Sequence, residues 1–417
     1  MKVLLLNTSE SYGGAAVAAN RLKKTLLRNG VKVSYMVLHK SSTDLHTIRS
    51  ASSFLSKVNF VLERGKIWFN NFFSRTNLFS ISLANTGIDL TKTKEFQEAD
   101  VIHLHWINQG FISLKGLQKI AESGKPIVWT MHDMWPCTAI CHHARTCIKY
   151  YTSCSSCPLL RCRSSSLAAR VFKKKKSIYQ GANITFVACS KWLHVQAEKS
   201  ALLVNKQVLT VPNPIDTQVF KSGDKKKART QLGLPLNKKL ILFGAVNSLD
   251  VRKGFSYFVE AVNEYIKKSD AEDLGLVIFG NGSEQLANHF VLETYVFPYL
   301  SDEEKLILLY QSVDLFVTPS LEENLPNVIM EAMACNVPCV GFNVGGIPEM
   351  IDHKSNGYVA SYKSAKDLAA GICWVKNQEK DLLGSKARAK VVKFYQEDRV
   401  ARKYIKIYEE KISGDYI

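Results

Sequence analysis

Two glutamates, Glu323 and Glu331, stand with seven residues between them in the stretch PSLEENLPNVIMEAMACNVPCVGF. Pro326 suits the first helical position, where its missing N–H costs nothing, so we expect Glu323 in the preceding loop and Glu331 in the second turn. The N–H groups of Asn324 and Leu325 would then point outward, where a helix N-terminus attracts phosphate. Because carboxylates accept hydrogen bonds from hydroxyls, the stretch suits a nucleotide sugar. The alternative is a helix whose acidic residues only complement its macrodipole.

A second group of reactive side chains lies in residues 137–162, CTAICHHARTCIKYYTSCSSCPLLRC, which contain six cysteines and two adjacent histidines. Reduced cysteines this dense are more often metal ligands than disulfides. Four of them have the spacing C-x5-C-x6-C-x2-C and predict a structural zinc site: Cys141, Cys147, Cys154 and Cys157. His142 or His143 could replace one cysteine, and Cys137 and Cys162 are left over. Free or redox-active cysteines and an iron–sulfur cluster remain alternatives.

Short apolar runs rich in β-formers alternate with helical patterns along most of the chain. The first half offers KVLLLN, KVSYMVL, DVIHLHW, PIVWTMH and ITFVACS, and the second offers KLILFGA, LGLVIFG, DLFVTPS and VPCVGF. Alternation of this kind indicates parallel sheets covered by helices. The fold class is therefore α/β, with two doubly wound, Rossmann-like domains in tandem.

The boundary between the domains is predicted near residue 212, where Pro212 and Pro214 flank Asn213 ahead of a lysine-rich segment. We expect an N-terminal domain over 1–212, with the cysteine-rich insert, and a C-terminal domain over 213–396. Residues 397–417 would form a C-terminal helix that could pack back on the N-terminal domain. Two such domains would leave a cleft between the carboxyl ends of their strands, where ligands bind in these sheets.

Two features of the first domain would face such a cleft. Gly13 and Gly14 lie between the first strand and the first helix, where backbone without side chains lets phosphate or acceptor approach the helix terminus. His132 follows the strand PIVWTM at its carboxyl end, where this architecture places active residues. A buried structural imidazole bonded to Asp133 is the alternative.

Several motifs together resemble the family 4 glycosyltransferases. The stretch that contains Glu323 and Glu331 resembles their Glu-x7-Glu signature. NTSESYGGAAVAANRL resembles their glycine loop and first helix, and DVRKGF resembles their basic donor-phosphate motif. HLHW, TMHDMWP and VPNPID resemble further family motifs, and the likeness is nearest to transferases that build bacterial capsule and exopolysaccharide. It implies the GT-B fold, two domains facing across a cleft, and transfer with retention of configuration. Asn336 departs from the usual glycine, and we expect little consequence in a turn.

The resemblance also assigns roles to residues at the donor. It implies that Glu331 holds the ribose hydroxyls, and that Glu323 holds hydroxyls of the transferred sugar beside the amides of Asn324 and Leu325. The remaining donor-binding and catalytic residues would be Gly13, Gly14, His132, Arg252 and Lys253. His132 would lie beside the reacting centre, and the Arg252–Lys253 pair would neutralise the diphosphate as negative charge accumulates on it.

The implied mechanism is front-face transfer, in which a donor phosphate oxygen takes the acceptor's proton. It needs no pair of carboxylates of the kind that a retaining glycosidase uses. Basic residues would replace a divalent metal, so no cofactor is expected for catalysis, and zinc would be structural only. A UDP-sugar is expected first as donor and a GDP-sugar second.

The chain of 417 residues carries a formal net charge of +18 at pH 7, which favours an anionic partner. The first residues lack a signal-peptide pattern, and no apolar run is long enough to cross a membrane. We therefore expect a cytoplasmic protein. Within residues 50–95, apolar side chains recur near helical spacing among lysines and arginines. They predict either a helix on the cytoplasmic membrane surface or a helix docked on its own domain.

Together these features predict a retaining glycosyltransferase that extends a saccharide, which we expect to be linked to polyprenyl diphosphate. Within enzymes, the alternative is a sugar-nucleotide epimerase of the same fold, against which the Glu-x7-Glu stretch argues. Outside enzymes, it is a basic, zinc-containing nucleic-acid-binding protein. No nucleic acid is expected, because the chain has no recognition helix or stacking-aromatic motif.

Overall fold

The computed structural model describes residues 1–161, 166–268 and 271–414, so the spare Cys162 lies outside the described residues. The chain forms two compact α/β units. The first comprises Met1–Pro214 and Asp398–Ile417, and the second comprises Ile215–Glu397. The division therefore lies two residues beyond the expected position at 212.

The first unit is built on a seven-stranded parallel sheet in the order β3-β2-β1-β4-β5-β6-β7. Its strands are β1 (Lys2–Ser9), β2 (Lys32–His39), β3 (Thr47–Arg49), β4 (Val101–Leu104), β5 (Ile127–Met131), β6 (Ile184–Ala188) and β7 (Val208–Thr210). Its helices are α1 (Gly14–Arg28), α2 (Ser53–Asn70), α3 (Lys94–Glu98), α4 (Leu114–Glu122), α5 (Leu167–Gln180), α6 (Lys191–Glu198) and, from the end of the chain, α15 (Glu397–Ser413).

Both faces of this sheet are buried, which explains why its central strands are runs of apolar residues. Alternate residues of β1 enter two different cores: Leu4 and Leu6 enter one, and Val3 and Leu5 enter the other. The second core is completed by α1 and by apolar and tyrosine side chains of α15. The last helix therefore belongs to the first unit's core.

The second unit is built on a six-stranded parallel sheet in the order β10-β9-β8-β11-β12-β13. Its strands are β8 (Lys239–Asn247), β9 (Leu274–Asn281), β10 (Thr294–Phe297), β11 (Leu315–Thr318), β12 (Cys339–Phe342) and β13 (Gly357–Ala360). Its helices are α7 (Lys225–Leu232), α8 (Phe255–Ile266), α9 (Ser283–Ala287), α10 (Glu303–Ser312), α11 (Asn327–Ala334), α12 (Ile347–Met350), α13 (Ala365–Lys376) and α14 (Lys380–Phe394). The prediction of two parallel, Rossmann-like sheets is confirmed.

Two details of α11 can be compared with the sequence. Pro326 was expected at the first helical position, but it is the N-cap, with extended backbone, and the helix begins at Asn327. Glu331 nevertheless lies in the second turn. Asn336, just beyond the helix, has a φ of 64°, the left-handed conformation that favours glycine and that asparagine tolerates. Across the described residues, none of the helices is both long and apolar enough to span a bilayer.

Candidate active site

In the second unit, the loop before α11 is packed against two neighbouring loops. Leu321 N–H donates to the Arg252 carbonyl over 2.7 Å, and Gly346 N–H donates to the Asn324 carbonyl over 2.8 Å. Gly254 and Gly345 have left-handed φ angles of 70° and 58°, and a Cβ on either would collide with the carbonyl of Pro319 or Glu323. Glycine is therefore required at both positions, and these contacts bring the predicted basic motif beside the predicted acidic one.

The two basic residues of this site have different carboxylate partners. The Lys253 ammonium forms an ion pair with Glu323, whose side chain is 13% exposed, while that of Lys253 is 27% exposed. The Arg252 guanidinium contacts Asp250 instead, with Nη2 and Oδ2 2.6 Å apart. Burial lowers the pKa of Arg252, but the Asp250 carboxylate outweighs burial, so this pKa is raised. Asp250 was not predicted, although it stands two residues before Arg252 in DVRKGF.

Glu331 is buried on α11, and its carboxylate has a partner that the sequence did not indicate. The Tyr310 hydroxyl, on α10, donates to Glu331 Oε2 over 3.0 Å. Burial raises the pKa of Tyr310 well above its usual value, and the Glu331 charge raises it further. The phenol therefore stays protonated and fixes one carboxylate oxygen. Because the two residues are 21 positions apart, no local pattern could have paired them.

In the first unit, Gly13 and Gly14 lie where β1 passes into α1. Gly13 is the N-cap, with a φ of 93°, and Gly14 is the first helical residue. A Cβ on Gly13 would meet nothing within 4 Å, so the space beside it is open. The preceding loop is anchored by the Glu10 carboxylate, which accepts the N–H groups of Ser41 and Ser42 over 2.6 and 2.8 Å. A ligand could therefore approach a firmly held helix terminus.

His132 follows β5 and is the last of three packed imidazoles. Its Nε2 shares a 3.0 Å hydrogen bond with Nδ1 of His105, and its Nδ1 lies 3.8 Å from the Cys189 sulfur. His105 stacks on His103, with ring centroids 4.2 Å apart. His103 in turn shares a 2.7 Å hydrogen bond with the Tyr408 hydroxyl of α15. The two histidines of HLHW, His103 and His105, thus position His132.

The protonation states of these imidazoles follow from burial. Burial lowers the pKa of His132 to about 4, and the neighbouring Asp133 charge opposes this only in part. It also lowers the pKa of His103 to about 3 and that of His105 well below its usual value. At neutral pH the side chain of His132 is therefore an uncharged imidazole, able to exchange hydrogen bonds but not to supply positive charge.

Asp133 has a structural role beside His132. Its carboxylate accepts the indole N–H of Trp106 over 2.8 Å and the backbone N–H of Trp135 over 2.8 Å, and it lies 2.6 Å from His142 Nδ1. His142 Nε2 is also 3.0 Å from the Ser82 hydroxyl. Both nitrogens of His142 are thus already bonded, which argues against this histidine as a substitute metal ligand.

The four cysteines of the predicted zinc site line one small cavity: Cys141, Cys147, Cys154 and Cys157. All four are free of disulfides. Burial raises the pKa of Cys141 to about 12 and that of Cys154 to about 11, so these thiols are protonated at neutral pH. As the side chains stand, however, no group of three or more His, Cys, Asp or Glu residues within 1–161, 166–268 and 271–414 is arranged to hold a metal ion.

Comparisons with known proteins define the class. A family model described as Glycosyltransferase Family 4 matches residues 12–219, and one described as Glycosyl transferases group 1 matches 224–397. Sucrose-phosphate synthase from Thermosynechococcus elongatus has the same fold, with a TM-score of 0.71 at 18% identity over 99% of this chain and 100% of that one. Anabaena HepE in complex with UDP-glucose has a TM-score of 0.66 at 16% identity, over 98% of this chain and 100% of that one. The fold is therefore the two-domain, Rossmann-like GT-B fold.

Curated glycosyltransferases are similar in sequence to this chain over part of their length. The N-acetyl-alpha-D-glucosaminyl L-malate synthase of Bacillus anthracis is 28% identical over 218 residues, 51% of this chain and 56% of the relative. The N,N'-diacetylbacillosaminyl-diphospho-undecaprenol alpha-1,3-N-acetylgalactosaminyltransferase of Campylobacter jejuni is 29% identical over 192 residues. The match covers 45% of this chain and 50% of that relative. The chain thus spans about half the length of these relatives. It is a glycosyltransferase of the group 1 and family 4 type.

Proposed function

We propose that this glycosyltransferase moves a sugar, with retention of configuration, from a nucleotide diphosphate to a growing saccharide of a bacterial surface polysaccharide. The observation that carries the proposal is the contact between Lys253 and Glu323 in a loop cluster held by Gly254 and Gly345. This pair supports the proposal because an ammonium can bind a diphosphate and a neighbouring carboxylate can accept hydrogen bonds from sugar hydroxyls.

Each side chain of the second unit has a distinct task in this proposal. Glu331 accepts the ribose hydroxyls, with one oxygen held by Tyr310. The carboxylate of Glu323 accepts hydroxyls of the transferred sugar, beside the backbone of Asn324 and Leu325. Lys253 and Arg252 face the diphosphate. Each of the two cations already pairs with a carboxylate, Arg252 with Asp250 and Lys253 with Glu323.

The proposed step is a front-face displacement. The bond between the anomeric carbon and the diphosphate oxygen breaks, and the electron pair leaves with the diphosphate. The acceptor hydroxyl forms the new bond on the same face, and its proton passes to a donor phosphate oxygen. Lys253 and Arg252 stabilise the charge that accumulates on the leaving group. The proposal requires Gly13, Gly14 and His132 to act on the same donor, with the neutral imidazole bonding to the sugar.

The proposed substrates follow from the motifs and from related proteins. A UDP-sugar is the first choice of donor and a GDP-sugar the second, and a structure of HepE contains UDP-glucose. The proposed acceptor is a saccharide on polyprenyl diphosphate, and the Campylobacter relative is named for a diphospho-undecaprenol substrate. The enzyme would then work at the cytoplasmic face of the membrane, without a metal cofactor for transfer.

A panel of nucleotide sugars tests the proposed donor. We expect one UDP-sugar at about 100 times its Kd to stabilise the folded protein by about 2.7 kcal/mol, which thermal unfolding detects as a rise in Tm. The product formed with a lipid-diphosphate saccharide should keep the donor's anomeric configuration, which NMR coupling constants report. An inverted product would overturn the mechanism, and a panel in which no nucleotide sugar raises Tm would overturn the proposed donor site.

We also propose that Cys141, Cys147, Cys154 and Cys157 bind a structural zinc ion. Four cysteines around one cavity are the ligand set of closed, tetrahedral zinc sites. Binding would require their side chains to close on the ion and to lose their protons, so it would compete with protons at low pH. The ion would brace the loop that follows His132 and would take no part in transfer.

Metal analysis of freshly purified protein tests this zinc site. We expect about one zinc per chain in the native protein and a loss of most of it in Cys154→Ser, because three thiolates hold zinc far less tightly than four. Cys373→Ser, which changes a partly exposed cysteine on α13, should leave the zinc content unchanged. A native content below about 0.2 zinc per chain would rule the site out.

A further inference from the structure

The helix α2 has its polar side turned into the first unit. Its buried residues are Ser56, Asn59, Glu63, Arg64 and Ile67, four of them polar or charged. A helix packed on its own domain ordinarily buries its apolar stripe. The orientation of α2 is therefore the reverse of what packing on the core alone would produce.

Specific polar contacts hold α2 in this orientation. Glu63 Oε1 accepts the backbone N–H groups of Leu83 and Ala84 over 2.8 and 2.9 Å. Arg64 donates to the Ile81 carbonyl over 3.0 Å and forms an ion pair with Glu63 at 3.1 Å. Because buried charges are costly without partners, rotating the helix to bury its apolar side would sacrifice these bonds. The outward direction of the apolar side is therefore a stable property of the fold.

The side of α2 that faces outward, with the segment after it, carries an exposed apolar patch. The patch consists of Phe54, Leu55, Val61, Leu62, Trp68, Phe69, Phe72, Phe73 and Phe79, all of them 40% exposed or more. Phe72 and Phe73 have φ angles of 52° and 57°, a backbone region that bulky residues rarely adopt. The Phe73 ring packs edge-on against Trp68 and Phe69, with centroids 4.7 and 5.7 Å away. This turn keeps an aromatic cluster at the surface.

The exposed charges of the segment that carries the patch have one sign. Between Asp44 and Asp89 the sequence contains a single acidic residue, Glu63, and that residue is buried and paired. Four basic side chains in the same segment are exposed: Arg49, Lys57, Lys66 and Arg75. The surface thus combines an apolar centre with exposed cations and no exposed carboxylate from residues 45–88.

We infer that the apolar patch and its four cations bind the surface of an anionic lipid bilayer. Aromatic side chains lie at the boundary between headgroups and acyl chains, while lysines and arginines reach the anionic headgroups. A symmetric pair of chains joined through this patch would instead bring the same cations of both copies together. The inference rests on this surface, and it extends the proposed lipid-linked acceptor by naming the part of the enzyme that meets the membrane.

Co-sedimentation of the full chain with vesicles tests the inference. We expect binding to vesicles of phosphatidylcholine mixed with phosphatidylglycerol, and a fall of about 30-fold or more in the partition coefficient for Phe69→Ser/Phe72→Ser. The matched control, Leu236→Ser/Val291→Ser, removes two exposed apolar side chains of the second unit and should bind like the native protein. Equal binding by the patch variant and this control would overturn the inference.

The contribution of charge is tested separately. Lys57→Gln/Lys66→Gln should bind mixed vesicles about 25-fold more weakly than the native protein does. On vesicles of pure phosphatidylcholine, the variant and the native protein should bind equally. No difference on the mixed vesicles would refute the anionic-lipid part of the inference. The opposite result would be a native protein that is a dimer and does not bind vesicles, with Phe69→Ser/Phe72→Ser a monomer. That result would assign the patch to a contact with a second copy of the chain.

The same preparations separate this inference from the proposed donor. Thermal stabilisation by the nucleotide sugar that the panel selects is measured on the native protein and on Phe69→Ser/Phe72→Ser. We expect the variant to lose vesicle binding and to keep its donor-dependent rise in Tm. If the native protein binds vesicles but no nucleotide sugar raises its Tm, the inferred membrane-binding patch stands and the proposed donor is overturned.

Discussion

Lys253→Met should lower kcat/KM by about 100- to 1,000-fold, because it removes the cation from the leaving diphosphate at the point where charge develops. The folded protein should lose at most about 1 kcal/mol of stability, since the Lys253–Glu323 ion pair is partly exposed to solvent. Initial rates with the selected donor and thermal unfolding measure the two effects independently.

Two control variants sharpen the Lys253 result. Lys253→Arg keeps the charge and should recover a large part of the activity, with losses from the altered geometry. Lys267→Met removes an exposed lysine that pairs with Glu264 just after α8 and should leave kcat/KM unchanged. If Lys253→Met and Lys267→Met have the same kcat/KM, Lys253 does not face the diphosphate.

Glu331→Gln should raise the Kd for the nucleotide by about 10- to 100-fold. The substitution keeps the size of the side chain but replaces charge-assisted hydrogen bonds to the ribose with neutral ones, which are about half as strong. Isothermal titration with UDP on folded protein measures this directly. The buried position of Glu331 makes a parallel measurement of Tm necessary, because its bond with Tyr310 contributes to folding.

Tyr310→Phe is the matched control for Glu331→Gln. It removes the 3.0 Å hydrogen bond between the two side chains and keeps the carboxylate. We expect a loss of Tm comparable to that of Glu331→Gln but a rise in Kd of no more than about threefold. Equal Kd values for the two variants would mean that Glu331 serves the fold and not the ribose.

The sequence predicted the centre of each sheet but not its edges. Strands such as β5 and β12 are buried on both sides and consist of apolar runs that stand out in the sequence. The outermost strands, β3, β7, β10 and β13, were not predicted. Two of them have three residues each, and the other two have four. Because β12 is equally short, length alone does not distinguish them; most residues of β3, β7 and β10 are not fully buried, and such segments form strands because a neighbouring strand supplies hydrogen bonds.

The candidate site was predictable where its chemistry is local. The order of Glu323, Pro326 and Glu331 along the chain was enough to predict a loop, a helix start and a second turn, with an error of one residue at the proline. The requirement for glycine at Gly345 and the bond from Tyr310 depend on contacts between distant segments. No spacing rule contains that information.

The α2 segment shows the limit of periodicity in another way. Helical spacing within residues 50–95 predicts a helix, and the structure contains one over Ser53–Asn70, but the spacing does not say which side is buried. That choice was made by Glu63 and Arg64, whose partners lie 14 to 21 residues later in the chain. An apolar stripe on a helix therefore does not by itself predict which side of the helix packs on the core.

The helix α15 determines when the first unit can be completed during synthesis. Tyr404 and Tyr408 share hydrogen bonds with Thr130 and His103 over 2.8 and 2.7 Å, and all four side chains are buried. A ribosome must therefore finish the whole second unit before these partners of β4 and β5 exist. The second unit, whose residues 215–397 are continuous, can fold on the ribosome while the first still waits for its last helix. The imidazoles that position His132 gain their final support only after the second unit has been synthesised.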